Sequence, residues 1–360
     1  MTRAGREVRV VRYPDGAVKP EDFEVVEVPV GDPGPGQVLV RNTWTSVDPG
    51  LRLRLRADAP AGYFLAFPLG QPMDGVMAVG EVVESRVEGF APGDLVSHAQ
   101  GWREYAVVDP AAVQLGGVGT LTRLDPGIAE PQVFLGPLGG MGLTAYAGLH
   151  VVDALKGGET VWVSAAAGAV GSLAVQIATL CGNRVIASAG SDDKVAWLRD
   201  ELGVEAFNYR DGLDDQLRAL APDGISVYFD SVGSDHLEAA LDHLVRGGRV
   251  AMCGSIAEYD SGPKGPRNLF LAVSKDLTLR GFRGSSNLHL MPEMQKRVSD
   301  WLRSGELLHR ETVFTGLDSA PRALAAMIAG DTTGKTLVSI DPERRACRDA
   351  PLPSDDRSSP

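Results

Sequence analysis

Cysteine is scarce in this chain. The three cysteines among 360 residues, Cys181, Cys253 and Cys347, lie far apart with no CxxC pair, which excludes a disulfide framework and a cysteine-rich zinc site. No apolar run approaches the roughly 20 residues needed to span a bilayer, and the opening MTRAGREVRV lacks the apolar core of a signal peptide. A cytoplasmic protein with ordinary thiols is expected. Positive charge is also short: the net charge is −12 and no Lys/Arg cluster stands out, so neither nucleic acid nor a membrane surface is an expected partner. The chain carries no serine elbow, P-loop lysine or kinase signature either.

The chain does have enough residues for two domains at about 150 each, and 44% of its residues are hydrophobic, so a globular protein is expected. From Glu7 to about Asp125 the segments are short and β-branched (EVRVVRY, FEVVEVPV, QVLVRNTW, GVMAVGEVVE, DLVSHA, EYAVV) and broken by Pro/Gly turns. They predict an antiparallel barrel or sandwich. After the helical GLTAYAGLHVVDAL the rhythm changes. Buried-type strands (ETVWVSA, RVIASA, AFNY, ISVYFDSV, RVAMCG, DLTLRGF) alternate with helices (AGAVGSLAVQIATLCG, SDDKVAWLRDELG, DGLDDQLRALAP, SDHLEAALDHLVRGG). That alternation predicts a parallel, doubly wound dinucleotide fold. Beyond it come the helix PEMQKRVSDWLRSG, a strand near ETVFTG, the helix APRALAAMIAG, and a strand KTLVSI that could return to the first domain. The last stretch, 341–360, is charged and Pro/Ser-containing without apolar periodicity, and reads as a disordered tail.

The first strand of the alternating series runs through Ala165, Ala166, Ala167, Gly168, Ala169, Val170 and Gly171 into a helix. Gly168 would let the backbone approach a pyrophosphate and Gly171 would let the helix pack against the strand, with the helix N-terminus offering amides and a positive dipole. Ala166 stands where a GxGxxG fingerprint has its first glycine. An acid that would hold the ribose hydroxyls of NAD is missing at the end of the second strand, where Ser188-Ala189-Gly190-Ser191 stands instead. Ser191 can donate to a 2′-phosphate there and Lys194 can supply charge, which favours NADPH over NADH. The bland alternative is that Lys194 is a solvated helix lysine balanced by Asp192 and Asp193.

These residues resemble the medium-chain dehydrogenase/reductase superfamily, and within it the zinc-free prostaglandin reductases and alkenal double-bond reductases. The likeness runs from about Val38 to Ile340. It is carried by Val40-Arg41-Asn42, Ser46-Val47-Asp48-Pro49, GPLGGMGLTAY from Gly136 to Tyr146, and Ser164 to Gly171. Further parts are Gly190 to Lys194, Phe229 to Gly233, Cys253 to Tyr259, and Gly334-Lys335. The resemblance implies a Rossmann domain (129–310) inserted into a GroES-like β-barrel catalytic domain (1–128 and 311–340), and a homodimer. It implies that Met141 and Thr144 lie near the nicotinamide, that Ala167 to Gly171 lie near the pyrophosphate, and that Gly190, Ser191, Lys194 and Tyr209 surround the 2′-phosphate. Cys253, Gly254, Ser255 and Ile256 would line the nicotinamide side, Thr332 would reach the cofactor, and Tyr259 would sit at the mouth of the substrate cleft as the catalytic residue.

The sequence departs from the related zinc enzymes at one place and from the zinc-free family's own pattern at two. Gly70 to Gly75 offers no His or Cys where the related zinc enzymes carry a His-Glu pair, and the lone His98 is expected to be structural. Gly50 follows Pro49 where the family often has Tyr, so an aromatic wall is expected to be missing. Thr332-Thr333-Gly334-Lys335 replaces Asn-Val-Gly-Lys. Without a metal to polarise a carbonyl, the chemistry expected is reduction of an activated double bond. Hydride would go to the β-carbon of an α,β-unsaturated ketone or aldehyde, with Tyr259 or the cofactor ribose donating to the enolate oxygen. A quinone reductase and a non-catalytic NADPH-binding protein are the alternatives.

Overall fold

The computed structural model of the protein describes residues 3–60, 64–151 and 155–340; the expected tail and Cys347 lie outside them. The chain begins with an antiparallel pair, β1 (Arg3–Val10) and β2 (Phe23–Val30). There follow β3 (Val38–Ser46), β4 (Ala78–Ser85), β5 (Leu95–His98), β6 (Tyr105–Val108) and β7 (Thr122–Arg123). Helix α1 (Gly140–Val151) leads into β8 (Thr160–Val163), α2 (Ala169–Leu180), β9 (Arg184–Ala189), α3 (Asp192–Asp200) and β10 (Glu205–Asn208). The series continues through α4 (Leu213–Leu220), β11 (Ile225–Asp230), α5 (Ser234–His243), β12 (Leu244–Met252), the short α6 (Leu271–Ser274) and β13 (Thr278–Gly281). It closes with α7 (Met291–Ser304), β14 (Glu311–Thr315), α8 (Ala320–Ala329) and β15 (Lys335–Ser339).

Two larger sheets organise these elements. One is parallel throughout, in the order β10-β9-β8-β11-β12-β13, the doubly wound arrangement that places ligands beyond the carboxyl ends of its strands. Its central strands are covered on both faces: Val161, Trp162 and Val163 of β8 are fully buried, as a sandwiched parallel sheet requires. The other sheet is mixed. Antiparallel β3, β4, β5 and β7 continue through β15 to β14, with β6 also on β3. β14 and β15 are parallel to each other, joined across α8, and β15 lies antiparallel on β3 at Ser46, Thr45 and Trp44. The last strand therefore returns to the first part of the chain.

One expected element changes length. The helix read through SDHLEAALDHLVRGG ends at His243, because Leu244 turns extended and pairs with Ile225 of β11. Gly247, at a φ of 76°, sits in the excursion before Arg249 rejoins the ladder opposite Val227. Two consecutive glycines are poor helix residues, and burying Leu244 in the sheet wins over extending the helix.

Candidate functional site at the carboxyl edge of the parallel sheet

The turn after β8 is built for close approach. A Cβ at Gly171 would come within 2.3 Å of the Ala165 carbonyl oxygen, so only glycine lets α2 start this near the strand. Gly168 is the extended N-cap of α2 and carries no side chain to cap it, which leaves the first-turn amides near Ala169, Val170 and Gly171 to an anion. Ala166 is fully buried and its amide donates to the Ser188 carbonyl at 3.0 Å, so alanine fits where the fingerprint has its first glycine.

At the end of β9, Gly190 lies under Tyr209: a Cβ there would stand 2.9 Å from the phenol oxygen. Ser191 is the N-cap of α3, yet its side chain makes no capping hydrogen bond. Lys194 is half-buried and its ammonium donates to the Gly330 carbonyl at 2.5 Å. Burial holds that ammonium below the ordinary lysine value; Asp331 opposes this and Arg210 adds to it. Lys194 is thus not the solvated partner of Asp192 and Asp193; Asp192 instead accepts from the Asn208 side chain at 2.8 Å. Arg210 is a second cation beside Tyr209, its guanidinium 5.9 Å from the ring centroid, and sequence reasoning passed over it. Nothing in the FNYR run at the end of the third parallel strand marks it out in the sequence. An arginine close enough to bear on the Lys194 ammonium, with a glycine and a serine that makes no capping bond nearby, suits a phosphate group.

The side expected to face the nicotinamide is assembled around Asp230. This carboxylate is buried at the end of β11 and accepts from the Val232 amide (2.9 Å), the Gly233 amide (2.8 Å) and the Tyr228 hydroxyl (2.8 Å). Burial raises it above the usual carboxylate value against the pull of those donors. Its backbone carbonyl accepts from the Cys253 and Gly254 amides, and Ser231 accepts from Ile256, so the Cys253–Ile256 turn is sewn to β11. A Cβ at Gly233 would meet that of Ser255 at 2.7 Å. Burial pushes the Cys253 thiol up to about 12, so it lines the site as a neutral group and is no nucleophile. Tyr259 folds back over this turn, its hydroxyl 3.4 Å from where a Gly254 Cβ would be. From α1, the Thr144 hydroxyl donates to the Gly140 carbonyl at 2.7 Å and packs against Gly284, with Met141 on the edge of the core.

The return strand completes the edge. Gly334 pairs with Gly168 as an isolated parallel bridge, and the Lys335 ammonium, buried, donates to Ser46 (2.7 Å), the Val47 carbonyl (3.0 Å) and Asp48 (2.7 Å). Thr332 accepts from the Thr336 hydroxyl at 3.0 Å. His98 lies apart from these residues. Its Nε2 meets Asn42 Oδ1 at 2.8 Å and its Nδ1 accepts from the Gln100 amide, so it is a satisfied core histidine, pushed down to about 3 by burial. Among the described residues no group of three or more His, Cys, Asp or Glu is placed to hold a metal ion.

Residues 6–115 match the family model for the N-terminal domain of oxidoreductase, and residues 169–303 match that for zinc-binding dehydrogenase. The chain is 36% identical over 347 residues to the NADP-dependent 2-alkenal reductase of Nicotiana tabacum, covering 94% of this chain and 98% of that one. The chain belongs to the medium-chain dehydrogenase/reductase family. Prostaglandin reductase 1 of Rattus norvegicus is 36% identical over 315 residues, covering 84% of this chain and 89% of the relative. The crystal structure of CurA in complex with NADPH from Vibrio vulnificus superposes with a TM-score of 0.86 at 30% identity, over 93% of this chain and 99% of that one. The expected architecture, a doubly wound domain beside a separate mixed-sheet domain, is the architecture of this family member.

Proposed function

We propose that the protein is an NADPH-dependent reductase of the carbon–carbon double bond of α,β-unsaturated ketones and aldehydes. The observation that carries this is end-to-end likeness to an NADP-dependent 2-alkenal reductase in a chain whose second parallel strand ends at Ala189-Gly190-Ser191 without an acid, with Lys194 near Arg210 and Arg210 against Tyr209. Bound there, NADPH would supply hydride to the β-carbon of the substrate.

The chain's residues account for the rest. Lys194, Ser191, Tyr209 and Gly190 form the 2′-phosphate pocket, and the amides that open α2 receive the pyrophosphate. Asp230 fixes the 231–233 turn and, through it, the Cys253–Ile256 wall. Thr144 and Met141 border the nicotinamide, and Thr332 closes the pocket from the return strand. Tyr259, with its hydroxyl over Gly254, donates to the substrate oxygen as negative charge develops there. A bulkier substrate is accommodated where Gly50 replaces an aromatic side chain.

Residues 1–128 and 311–340 form the GroES-like substrate domain in this reading, and 129–310 the cofactor domain. A homodimer is supported by the edge position of β13 among the described residues and by the exposed Leu269, Phe270 and Val273 that precede it in the chain. The free thiols of Cys181 and Cys253 support a cytoplasmic location; among the described residues no helix is long and apolar enough to cross a membrane. The test is consumption of NADPH that depends on an enone and yields the saturated carbonyl. Oxidation of NADPH by quinones alone would favour the quinone reductase alternative.

A further inference from the structure

Arg52 lies on the short 3-10 turn Pro49–Arg54 that follows β3. Its guanidinium is buried, with the side chain 8% exposed. It is held on its own side of the molecule by a bond from Nη2 to the Gly16 carbonyl at 3.1 Å. The turn itself is anchored through Asp48 to the Lys335 ammonium. From this fixed base Arg52 Nε reaches 2.6 Å to Asp260 Oδ1, on the segment that follows β12 of the parallel sheet. Asp260 is 46% exposed and is the residue next to Tyr259. Its segment is a compact unit, because the Glu258 amide donates to Ser255, the Gly262 amide donates to Glu258, and the Glu258 carboxylate accepts from the Lys264 amide. Wherever Asp260 is drawn, Tyr259 follows.

We propose that the Arg52–Asp260 ion pair is a latch between the two domains that closes the loop bearing Tyr259 over the cleft and so governs affinity for the enone, leaving the chemistry of the closed state unchanged. Resting on the role given above to Tyr259, this assigns Arg52 and Asp260 as positioning residues: neither touches the reacting atoms. A rigid, buried cation on one domain and an accessible carboxylate on a short loop of the other let the pair part when substrate enters and re-form around it. The pair is half open to solvent, so salt weakens it.

Asp260→Asn keeps the shape and removes the charge at an exposed position where folding is not at risk. The variant should raise the KM for an enone about three- to thirtyfold, the span between an exposed ion pair and a charge-assisted hydrogen bond, while kcat moves less than about threefold. The Kd for NADPH alone, read by quenching of protein fluorescence, should stay within about twofold. Asp260→Glu should restore most of the KM, and added sodium chloride should raise KM in the wild type but leave Asp260→Asn flat. An unchanged KM, or parallel losses of kcat, NADPH affinity and melting temperature, would overturn the latch. Tyr259→Phe in the same assay separates the two ideas: if its turnover is intact, the role of Tyr259 fails, whereas the KM and salt response of Asp260→Asn judge the latch by themselves.

Discussion

The amide of Gly334 donates to the carbonyl of Ala167 at 2.8 Å, so the segment leading into a strand of the mixed sheet grips the turn after β8 of the parallel one, the turn proposed to receive the pyrophosphate. Gly334 can do this because it adopts a φ of 71° with its α-carbon against Arg310: a Cβ would come within 2.0 Å of the Arg310 carbonyl oxygen.

Gly334→Ala should therefore lower the unfolding free energy by about 2 to 4 kcal/mol, combining left-handed backbone strain with overpacking. It should also weaken NADPH binding, because Ala167 shifts with the strand. Urea unfolding and NADPH titration check both, and a variant as stable as the wild type would show that the strand yields easily.

Lys194→Ala should weaken NADPH while sparing NADH. A charge-assisted hydrogen bond to phosphate contributes roughly 1.5 to 3 kcal/mol, so the KM for NADPH should rise about ten- to a hundredfold. Because burial already depresses this ammonium, NADPH affinity should fall at alkaline pH before an ordinary lysine would titrate, and Lys194→Arg should extend the range. Equal losses for both cofactors would contradict the phosphate assignment.

Tyr259→Phe should lower turnover more than cofactor affinity, by up to about 3 kcal/mol in the barrier for loss of one oxyanion donor. Steady-state rates on several enones, beside NADPH binding, test it. An unchanged kcat would leave Tyr259 a bystander.

His98 is neutral in the fold, titrating near 3 against 6.5 in an unfolded chain. Between those values the unfolded state binds the extra proton, so stability is present above pH 6.5 and is lost as pH falls through the window, by roughly 2 kcal/mol between pH 7 and pH 5. The melting temperature of His98→Gln should fall less steeply over that interval than that of the wild type, with His236, pushed down to about 4 by burial, leaving a residual slope. Parallel pH profiles would mean that His98 is protonated in the folded protein.

Much of this architecture was legible because each parallel strand announces itself locally. ETVWVSA and ISVYFDSV are apolar on both faces, and the glycines at 168 and 171 punctuate the first crossover. The preference for NADPH was legible through the missing acid after β9. What stayed hidden are relations between distant segments: Gly334 with Ala167, Lys335 with Ser46 and Asp48, and Arg52 with Asp260, separated by 208 positions. Such pairs obey no sequence period, since tertiary folding alone brings them together. Arg210 was missed for another reason, because one arginine after a strand looks like any solvated turn residue until Lys194 is seen beside it. The end of α5 was misjudged because an apolar Leu244 suits a helix face and a buried strand equally well.

The most direct test of the central claim follows the atom that is transferred. Protein treated with a chelator should be given NADPH deuterated at its transferable position together with an α,β-unsaturated ketone, and the product examined by mass spectrometry. Conjugation already makes the β-carbon electrophilic, and the site need only orient the reactants and donate to the oxygen. The account predicts an undiminished rate and a saturated ketone with deuterium on the β-carbon; an allylic alcohol labelled at the carbonyl carbon, or activity that returns only when zinc is added, would contradict it.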